Sequence, residues 1–181
     1  MNTAAQDYHA FLQGDQDALV RIIDRYKDGL ILYLNGIVSD LDVAEDLTED
    51  VFLKLVLKKP RFSAKSSFKT WLYSIGRNLA LDHLRRSKRL EPEPEAAVAD
   101  LLDLEKQYLR QEDRLFVHQV MKQLRPEYRQ VLWLIYFEEF TCAEAGKILK
   151  KSTHNVETLV YRARQALKLK LLKEGFLYEN Q

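Results

Sequence analysis

Apolar residues recur at helical spacing along most of the chain, and this periodicity constrains the fold more than any other feature. In residues 17–38 an apolar residue returns every three or four positions, as in a helix with one face on a core. The next segment repeats the pattern with Val43, Leu47, Val51 and Leu55 and places acidic residues on its other side. No stretch alternates apolar and polar residues over the length of a strand. The sequence therefore predicts an all-α protein.

Residues with capping chemistry predict where two of these helices begin. Asp42 with Glu45 three residues later resembles a capping pair at the start of the acidic helix. Residues 58–60 combine two lysines with a proline, which suits a helix end. Ser66 or Ser67 is a good N-cap for the helix that follows.

A segment rich in proline and glutamate divides the chain. Its composition cannot bury enough apolar surface to order itself, which predicts a flexible tether over about residues 87–100, with helical character returning near Leu101. The predicted organisation is a first domain (1–86), an acidic linker (87–111) and a second domain (112–181). At 181 residues the chain is long enough for two small helical domains with modest cores.

Charge is sorted into blocks although the net charge is only +1. Residues 39–50 hold six acidic residues and no basic one. Residues 54–89 hold eleven Lys or Arg against a single acidic residue. Blocks of opposite sign indicate surfaces for different partners, although a solvated face is the simpler explanation of either block.

Several functional classes lack support in the sequence. Cys142 is the single cysteine, the four histidines are dispersed, and no Gly-rich phosphate loop is present. No apolar run reaches the roughly 20 residues that span a bilayer, and the N-terminus lacks the pattern of a signal peptide. We therefore expect a cytoplasmic protein without metal, cofactor, membrane insertion or enzymatic activity.

Residues 66–86, SSFKTWLYSIGRNLALDHLRR, combine aromatic rings with cations on one helix. Helical spacing assigns Phe68 and Trp71 to the core side and predicts that Tyr73 and the cations near it point outward together. Rings for stacking and cations for phosphates suit single-stranded or distorted nucleic acid. An ordinary solvated cationic face is the alternative.

Residues 141–173 predict a helix-turn-helix. Thr141 and Glu144 form a capping box, and the four-residue break KKST separates the two helices. The second helix of such a motif commonly enters a DNA major groove, although an ordinary helical hairpin is the alternative. Its outward residues include base-edge readers and phosphate neutralisers: His154, Asn155, Thr158, Tyr161, Arg162, Arg164 and Lys168.

Four segments carry a shared pattern: AEDLTEDVFLKLV, residues 66–86, LRPEYRQVLWLIYFEEFTCAEAGKIL and VETLVYRARQAL. Through these segments both halves resemble the extracytoplasmic-function (ECF) group of bacterial sigma-70 family sigma factors. AEDLTEDVFLKLV is similar to the family's acidic D-L-x-Q-E-x-F segment, and the 66–86 segment resembles its F-x-T-W-L-x-x-I-x-x-N-x-x-x-D-x-x-R segment. LRPEYRQVLWLIYFEEFTCAEAGKIL and VETLVYRARQAL resemble the second conserved block. The resemblance implies that the first half is sigma region 2 and the second half is region 4.

The resemblance also implies a function for the chain, that of a factor that brings core RNA polymerase to promoters and helps to melt the −10 region. It further implies a role for each surface. The implied polymerase contacts are Asp46, Leu47, Glu49 and Phe52. The implied −10 contacts are Phe62, Lys65, Phe68, Lys69, Tyr73, Arg77 and Asn78. The implied −35 contacts are His154, Asn155, Thr158, Arg162 and Lys168.

Expected partners are core RNA polymerase and promoter DNA, with an anti-sigma factor as a further candidate. The alternative function is a helix-turn-helix transcriptional regulator that is not a polymerase subunit.

The chain departs from the family pattern at a few positions. Glu49 stands where glutamine is usual, and Ala145 with Gly146 replaces an Ile-Ala pair. Lys150 occupies a turn position often held by glycine. The latter two departures are expected to loosen the packing or the turn of the second domain.

Overall fold

The computed structural model describes residues 3–87, 98–109 and 112–175, and each regular segment in these ranges is helical. The helices are α1 (Thr3–Leu12), α2 (Gln16–Val38), α3 (Leu41–Lys58), α4 (Phe68–Ser87), α5 (Val98–Leu109), α6 (Glu112–Met121), α7 (Pro126–Leu132), α8 (Cys142–Leu149) and α9 (Thr153–Lys173). Trp133–Phe137, directly after α7, form a π-helical segment. The prediction of an all-α fold is confirmed.

Helix α2 is the centre of the first half and packs against α1, α3 and α4. Its predicted apolar face is confirmed, since Ile22, Leu30 and Leu34 are fully buried. The Asp15 carboxylate caps the helix by accepting a hydrogen bond from the Ala18 N–H at 3.3 Å. The cap sets where α2 begins, and the periodicity sets which of its faces packs against the neighbouring helices.

Helix α3 begins two residues earlier than the predicted capping pair. The Asp40 carboxylate accepts a hydrogen bond from the Val43 N–H at 3.0 Å, and Asp40 has the extended backbone of an N-cap. The predicted cap at Asp42 is therefore wrong, because Asp42 already lies in the first turn. For α4 the structure selects Ser67, whose Oγ accepts a hydrogen bond from the Thr70 N–H at 3.1 Å.

The π-helical segment changes which residues of the second half face the core. Val131 and Leu132 are fully buried. Tyr136, which a period of 3.6 residues counted from Leu132 would turn inward, is 46% exposed, and Leu134 is buried instead. A π-helix uses more residues per turn than an α-helix, so the buried face shifts along the sequence. A period of 3.6 residues therefore places Tyr136 on the wrong side.

Helices α8 and α9 form the predicted helix-turn-helix, joined by residues 150–152. The capping box is confirmed: the Glu144 N–H donates to the Thr141 Oγ1 at 3.2 Å, and the Thr141 N–H donates to the Glu144 carboxylate at 2.9 Å. Ser152 caps α9 by accepting a hydrogen bond from the Asn155 N–H at 3.2 Å. The connection is one residue shorter than the predicted break.

Gly146 lets the turn fold tightly against α8. The Lys151 N–H donates to the Gly146 carbonyl at 2.9 Å. A Cβ at position 146 would lie only 2.7 Å from the Lys151 carbonyl oxygen. Lys150 takes the left-handed conformation, with φ of 56°, in the turn position where glycine is common. The expected loosening is absent here, because the missing Cβ permits a close backbone approach.

The two halves pack against each other. Helix α4 contacts α8, and α2 contacts α7. Helix α5 lies within the range predicted as linker, begins at Val98 near the predicted return of helix at Leu101, and packs against α2 and α6. Residues 88–97 of the predicted tether lie outside the described residues, and the domain limits remain a prediction.

Candidate polymerase and promoter interfaces

The outward face of α3 is acidic and partly apolar. Asp46 and Glu49 are exposed, and Leu53 and Leu57 continue the same face with 51% and 69% of their surface exposed. Acidic residues beside unburied leucines suit a protein partner with a basic, partly apolar surface. The two leucines were not among the predicted contacts, although their spacing from Asp46 and Glu49 by multiples of about 3.6 residues indicates a shared face.

Two of the four predicted polymerase contacts lie in the core of the first half. Leu47 and Phe52 are each only 7% exposed. They support α3 from beneath, whereas Asp46 and Glu49 are available at its surface. The structure therefore separates this predicted set into two exposed carboxylates and two packing residues.

The loop between α3 and α4 rests on an aromatic cluster. The Phe62 ring lies 5.6 Å from the Phe68 ring and 5.3 Å from the Trp71 ring, measured between centroids. The Tyr8 hydroxyl donates to the Pro60 carbonyl at 2.7 Å and so ties α1 to the loop. Phe62 remains partly exposed, whereas Phe68 is fully buried. Phe62 and Phe68 are the two rings of this cluster that were predicted to contact DNA. Of these two, only Phe62 is reached by solvent.

Tyr73 does not point to solvent, and that prediction is wrong. It is fully buried, with its ring 5.4 Å from Tyr33 and 5.2 Å from Phe140. Burial, reinforced by the nearby Glu138 carboxylate, raises the pKa of the Tyr73 hydroxyl well above its usual value. Helical spacing correctly placed Tyr73 opposite Phe68, but Tyr33 of α2 and Phe140 of the second half cover that side too.

Two cations of α4, Lys69 and Arg77, also contact the second half. The Lys69 ammonium lies 2.8 Å from the Glu138 carboxylate and donates to the Glu138 carbonyl at 2.7 Å. The Arg77 guanidinium donates to the Gln130 side chain at 3.3 Å. Asn78, by contrast, is exposed.

Lys65 has an exposed side chain, and its backbone carbonyl accepts a hydrogen bond from the Lys147 ammonium at 2.8 Å. Of the seven predicted −10 contacts, Phe62, Lys65 and Asn78 thus remain accessible, Lys69 and Arg77 are half-buried and paired, and Phe68 and Tyr73 are buried.

Helix α9 presents its predicted residues together on the outside of the molecule. His154, Asn155, Arg162 and Lys168 are exposed, and Thr158 is half-buried and donates to the His154 carbonyl at 3.1 Å. Amide and imidazole groups can read base edges, while the cations can neutralise phosphates. This face is accessible to a DNA groove.

Tyr161 and Arg164 extend the exposed surface of α9, and Tyr161 is 66% exposed. On the core side of α9, Val156 and Ala163 are fully buried.

Within the described residues no group of three or more His, Cys, Asp or Glu side chains could hold a metal ion. The described helices also include none that is long and apolar enough to cross a membrane.

Both halves match known protein families. Residues 22–90 match the family described as Sigma-70 region 2, and residues 117–167 match Sigma-70, region 4. The ECF RNA polymerase sigma factor SigW of Bacillus subtilis is 30% identical over 171 residues, covering 88% of this chain and 91% of SigW. The RNA polymerase sigma-H factor of Pseudomonas aeruginosa is 27% identical over 167 residues, covering 86% of each chain.

Two solved structures share the fold. CnrH, solved with the cytosolic domain of CnrY, aligns with a TM-score of 0.63 at 23% identity and covers 93% of this chain and 94% of its own. The sigma factor RpoE of Bartonella quintana, solved with the anti-sigma factor NepR, aligns with a TM-score of 0.61 at 21% identity and covers 83% of this chain and 94% of its own.

The chain belongs to the sigma-70 family, in its ECF group. It is an RNA polymerase sigma factor, a regulatory subunit whose partners are core RNA polymerase and promoter DNA. The alternative of a regulator acting outside polymerase is not favoured, because region 2 and region 4 both match.

Proposed function

We propose that this sigma factor uses three separate surfaces to start transcription. The acidic face of α3 binds core polymerase through Asp46 and Glu49, with Leu53 and Leu57 adding apolar contact. The loop at Phe62 and helix α4 hold the melted −10 strand. The exposed face of α9 reads the −35 element.

One observation carries this proposal: α9 and α3 each expose a face to solvent, and the two faces differ in chemistry. The face of α9 offers His154, Asn155, Arg162 and Lys168, as DNA requires. The face of α3 offers carboxylates, which phosphates would repel, beside exposed leucines. A chain that bound only duplex DNA would have no use for the α3 face.

The remaining assignments follow from this role. We propose that the protein is non-catalytic, acts in the cytoplasm where polymerase works, and helps to open DNA by binding rather than by chemistry. We also propose an anti-sigma factor as a regulatory partner, as RpoE of Bartonella quintana has NepR in its co-crystal. Leu47 and Phe52 support the α3 surface from the core instead of contacting polymerase.

Binding measurements with purified core polymerase test the proposal. The full chain should bind core without DNA, and the two together should protect a promoter upstream region from nuclease. A chain that protects duplex promoter DNA by itself and has no affinity for core would instead be a free-standing regulator.

A further inference from the structure

We propose that Glu157 of α9 reads a cytosine in the −35 element by accepting a hydrogen bond from the N4 amino group of that base. This role rests on the proposed reading of the −35 element by α9 and narrows it to a single base. Residues 150–173 hold seven Lys or Arg and only one acidic residue, which is Glu157. Glu157 was not among the predicted −35 contacts, yet it stands on the surface that must approach phosphates.

Glu157 lies in the part of α9 that a helix-turn-helix turns towards base edges. It is the fifth residue of the helix, which begins at Thr153. The residues near the start of a recognition helix are those that contact bases in the major groove. His154 lies three positions before Glu157 and Tyr161 four positions after it, so these side chains are neighbours on the helix surface, and all three are exposed. The Glu157 carboxylate is therefore placed to meet a base edge.

No structural role on α9 accounts for an acidic residue at this position. Ser152 already caps the helix, and Glu157 lies beyond the first turn, where the helix dipole would stabilise a carboxylate most. No Lys or Arg stands three or four residues from Glu157 in either direction, so an ion pair along the helix is not available. Within the part of the chain that the structure describes, the carboxylate makes no hydrogen bond or ion pair. Its oxygens are thus free to accept from a ligand.

The chemistry of a carboxylate limits which base Glu157 can read. Glu157 is the one side chain in residues 150–173 that offers hydrogen-bond acceptors and no donor. In the major groove, guanine and thymine present acceptors that would repel it, whereas cytosine N4 and adenine N6 are donors. Adenine also places its acceptor N7 beside N6, where it would face the second carboxylate oxygen. Cytosine presents only its donor, so it is the base that Glu157 fits best.

The side chains around Glu157 cannot replace it in this role. The Thr158 hydroxyl donates to the His154 carbonyl at 3.1 Å, so its proton is engaged by the helix itself. Arg162 and Lys168 carry donors only, which suit phosphates or guanine but cannot accept from a base amino group. An amino group of cytosine that meets this face of α9 therefore finds its charged acceptor in Glu157.

Repulsion contributes to the same selectivity. A carboxylate beside phosphate-binding cations weakens the affinity of α9 for DNA in general. That cost is offset only on sequences that present an amino group to Glu157, because there the carboxylate is hydrogen-bonded instead of unpaired. Discrimination between ligands commonly uses an element of this kind, which disfavours the wrong ones. Glu157 thus favours its cytosine partly by weakening binding to the other bases.

Selection of promoters by the holoenzyme tests the role of Glu157. Core RNA polymerase with the full chain would select from copies of a promoter that it transcribes, randomised in the upstream region. We expect the wild type to prefer cytosine at one −35 position by about tenfold. Glu157→Ala should lose the preference at that position alone. Glu157→Gln should move it to adenine, because a glutamine amide fits N6 and N7 of adenine. Glu139→Gln changes an exposed acidic residue of the same half outside α9, so this matched control should alter no position.

A base analogue tests the same hydrogen bond in the wild-type protein. Replacing the selected cytosine by 2-pyrimidinone removes the N4 amino group and keeps the ring. The wild-type holoenzyme should bind this promoter about tenfold more weakly than the cytosine promoter. The Glu157→Ala holoenzyme should bind both promoters with equal affinity, because the interaction lost with the amino group is already absent.

Several results would overturn the proposal. One is a wild-type −35 preference that includes no cytosine, and another is a set of Glu157 variants whose affinity rises uniformly or whose base preferences stay the same. Equal binding of the cytosine and analogue promoters by the wild type would overturn it even if both variants failed to fold. A wild-type holoenzyme that selects no upstream sequence at all would reject the proposed role of α9 and the role of Glu157 with it. Failure of Glu157 alone is therefore distinguishable from failure of the proposed function.

Discussion

Phe62 is the residue on which the proposed strand-holding role depends most. Its ring packs on Phe68 and Trp71 but stays partly exposed. Stacking of a base on an aromatic ring contributes roughly 1–3 kcal/mol, and about 1.4 kcal/mol corresponds to a tenfold change. We therefore expect Phe62→Ala to reduce promoter opening by about tenfold in permanganate footprinting, while a pre-melted template restores activity.

The control for Phe62 is Val20→Ala on α2, which removes a side chain that is 52% exposed elsewhere in the first half. It should leave opening unchanged. Thermal unfolding of both variants separates lost stacking from lost packing. Full opening of duplex promoter by Phe62→Ala would remove the stacking role.

Two residues of α9 should separate base reading from phosphate contact. Lys168→Ala should weaken holoenzyme binding similarly on all promoters and reduce the salt dependence by about one counterion. Asn155→Ala should instead change the preferred −35 sequence, because its amide can read a base edge. Selection from a randomised upstream library measures both effects. An unchanged −35 preference in the Asn155 variant would show that its assignment is wrong.

Periodicity in the sequence predicted which side of a helix a residue lies on more accurately than it predicted whether that residue is exposed to solvent. In α9 the residues predicted to point outward do so, while Val156 and Ala163 on the other side are buried. Tyr73 was predicted to point outward from α4, yet Tyr33 of α2 and Phe140 of the other half cover its ring. Neither Phe140 nor its neighbour Glu138 carries a local pattern that reveals such a contact, so periodicity within α4 could not predict the burial.

Helix α3 can be tested as a binding element by reversing its charge. Asp46→Lys and Glu49→Lys, alone and together, should severely weaken affinity for core polymerase in a titration. Both residues are exposed, so each change should alter the unfolding free energy by no more than about 0.5 kcal/mol. Asp24→Lys on the exposed side of α2 makes the same charge change and should leave core affinity intact. Equal affinities of all these variants would reject α3 as the docking helix.

The turn between α8 and α9 should be intolerant of a Cβ at position 146. Gly146→Ala places a methyl group 2.7 Å from the Lys151 carbonyl oxygen, and such overpacking typically costs about 1–3 kcal/mol. Gly36→Ala meets no atom within 4 Å and should stabilise α2 by about 0.5–1 kcal/mol. Denaturant unfolding of the two variants should therefore shift in opposite directions. If Gly146→Ala left the free energy of unfolding unchanged, the turn would not be packed closely against α8.

Element positions were largely predictable where caps and periodicity agreed. Thr141 and Glu144 marked the start of α8, and the break before α9 differs by one residue. The π-helical segment Trp133–Phe137 was not predictable, because its extra residue per turn breaks the 3.6-residue period used to find helices. That segment positions Glu138, so the contact between Glu138 and Lys69 was not predictable for the same reason.

At the scale of the whole molecule, the sequence indicated two helical halves but not their contact. Composition predicted a flexible tether over about 87–100 within the linker 87–111, with helix returning near Leu101. The structure has α5 in this linker, where it packs on α2, and the Tyr108 hydroxyl of α5 donates to the Glu138 carboxylate. Packing between the halves depends on a few close contacts, such as the approach of the Tyr108 and Glu138 side chains to Gly29. Such contacts leave no periodic pattern in the sequence. The function, by contrast, was predictable from motifs because each half carries its own.

Reconstituted transcription tests the central claim most directly. Core RNA polymerase from the same bacterium would be mixed with fragmented genomic DNA, with and without the full chain, and transcript starts would be mapped. We expect starts that appear only when both proteins are present and that share upstream sequence elements near −10 and −35. A set of starts that is unchanged by the chain, although the chain binds its own promoter DNA without core, would contradict its role as a sigma factor.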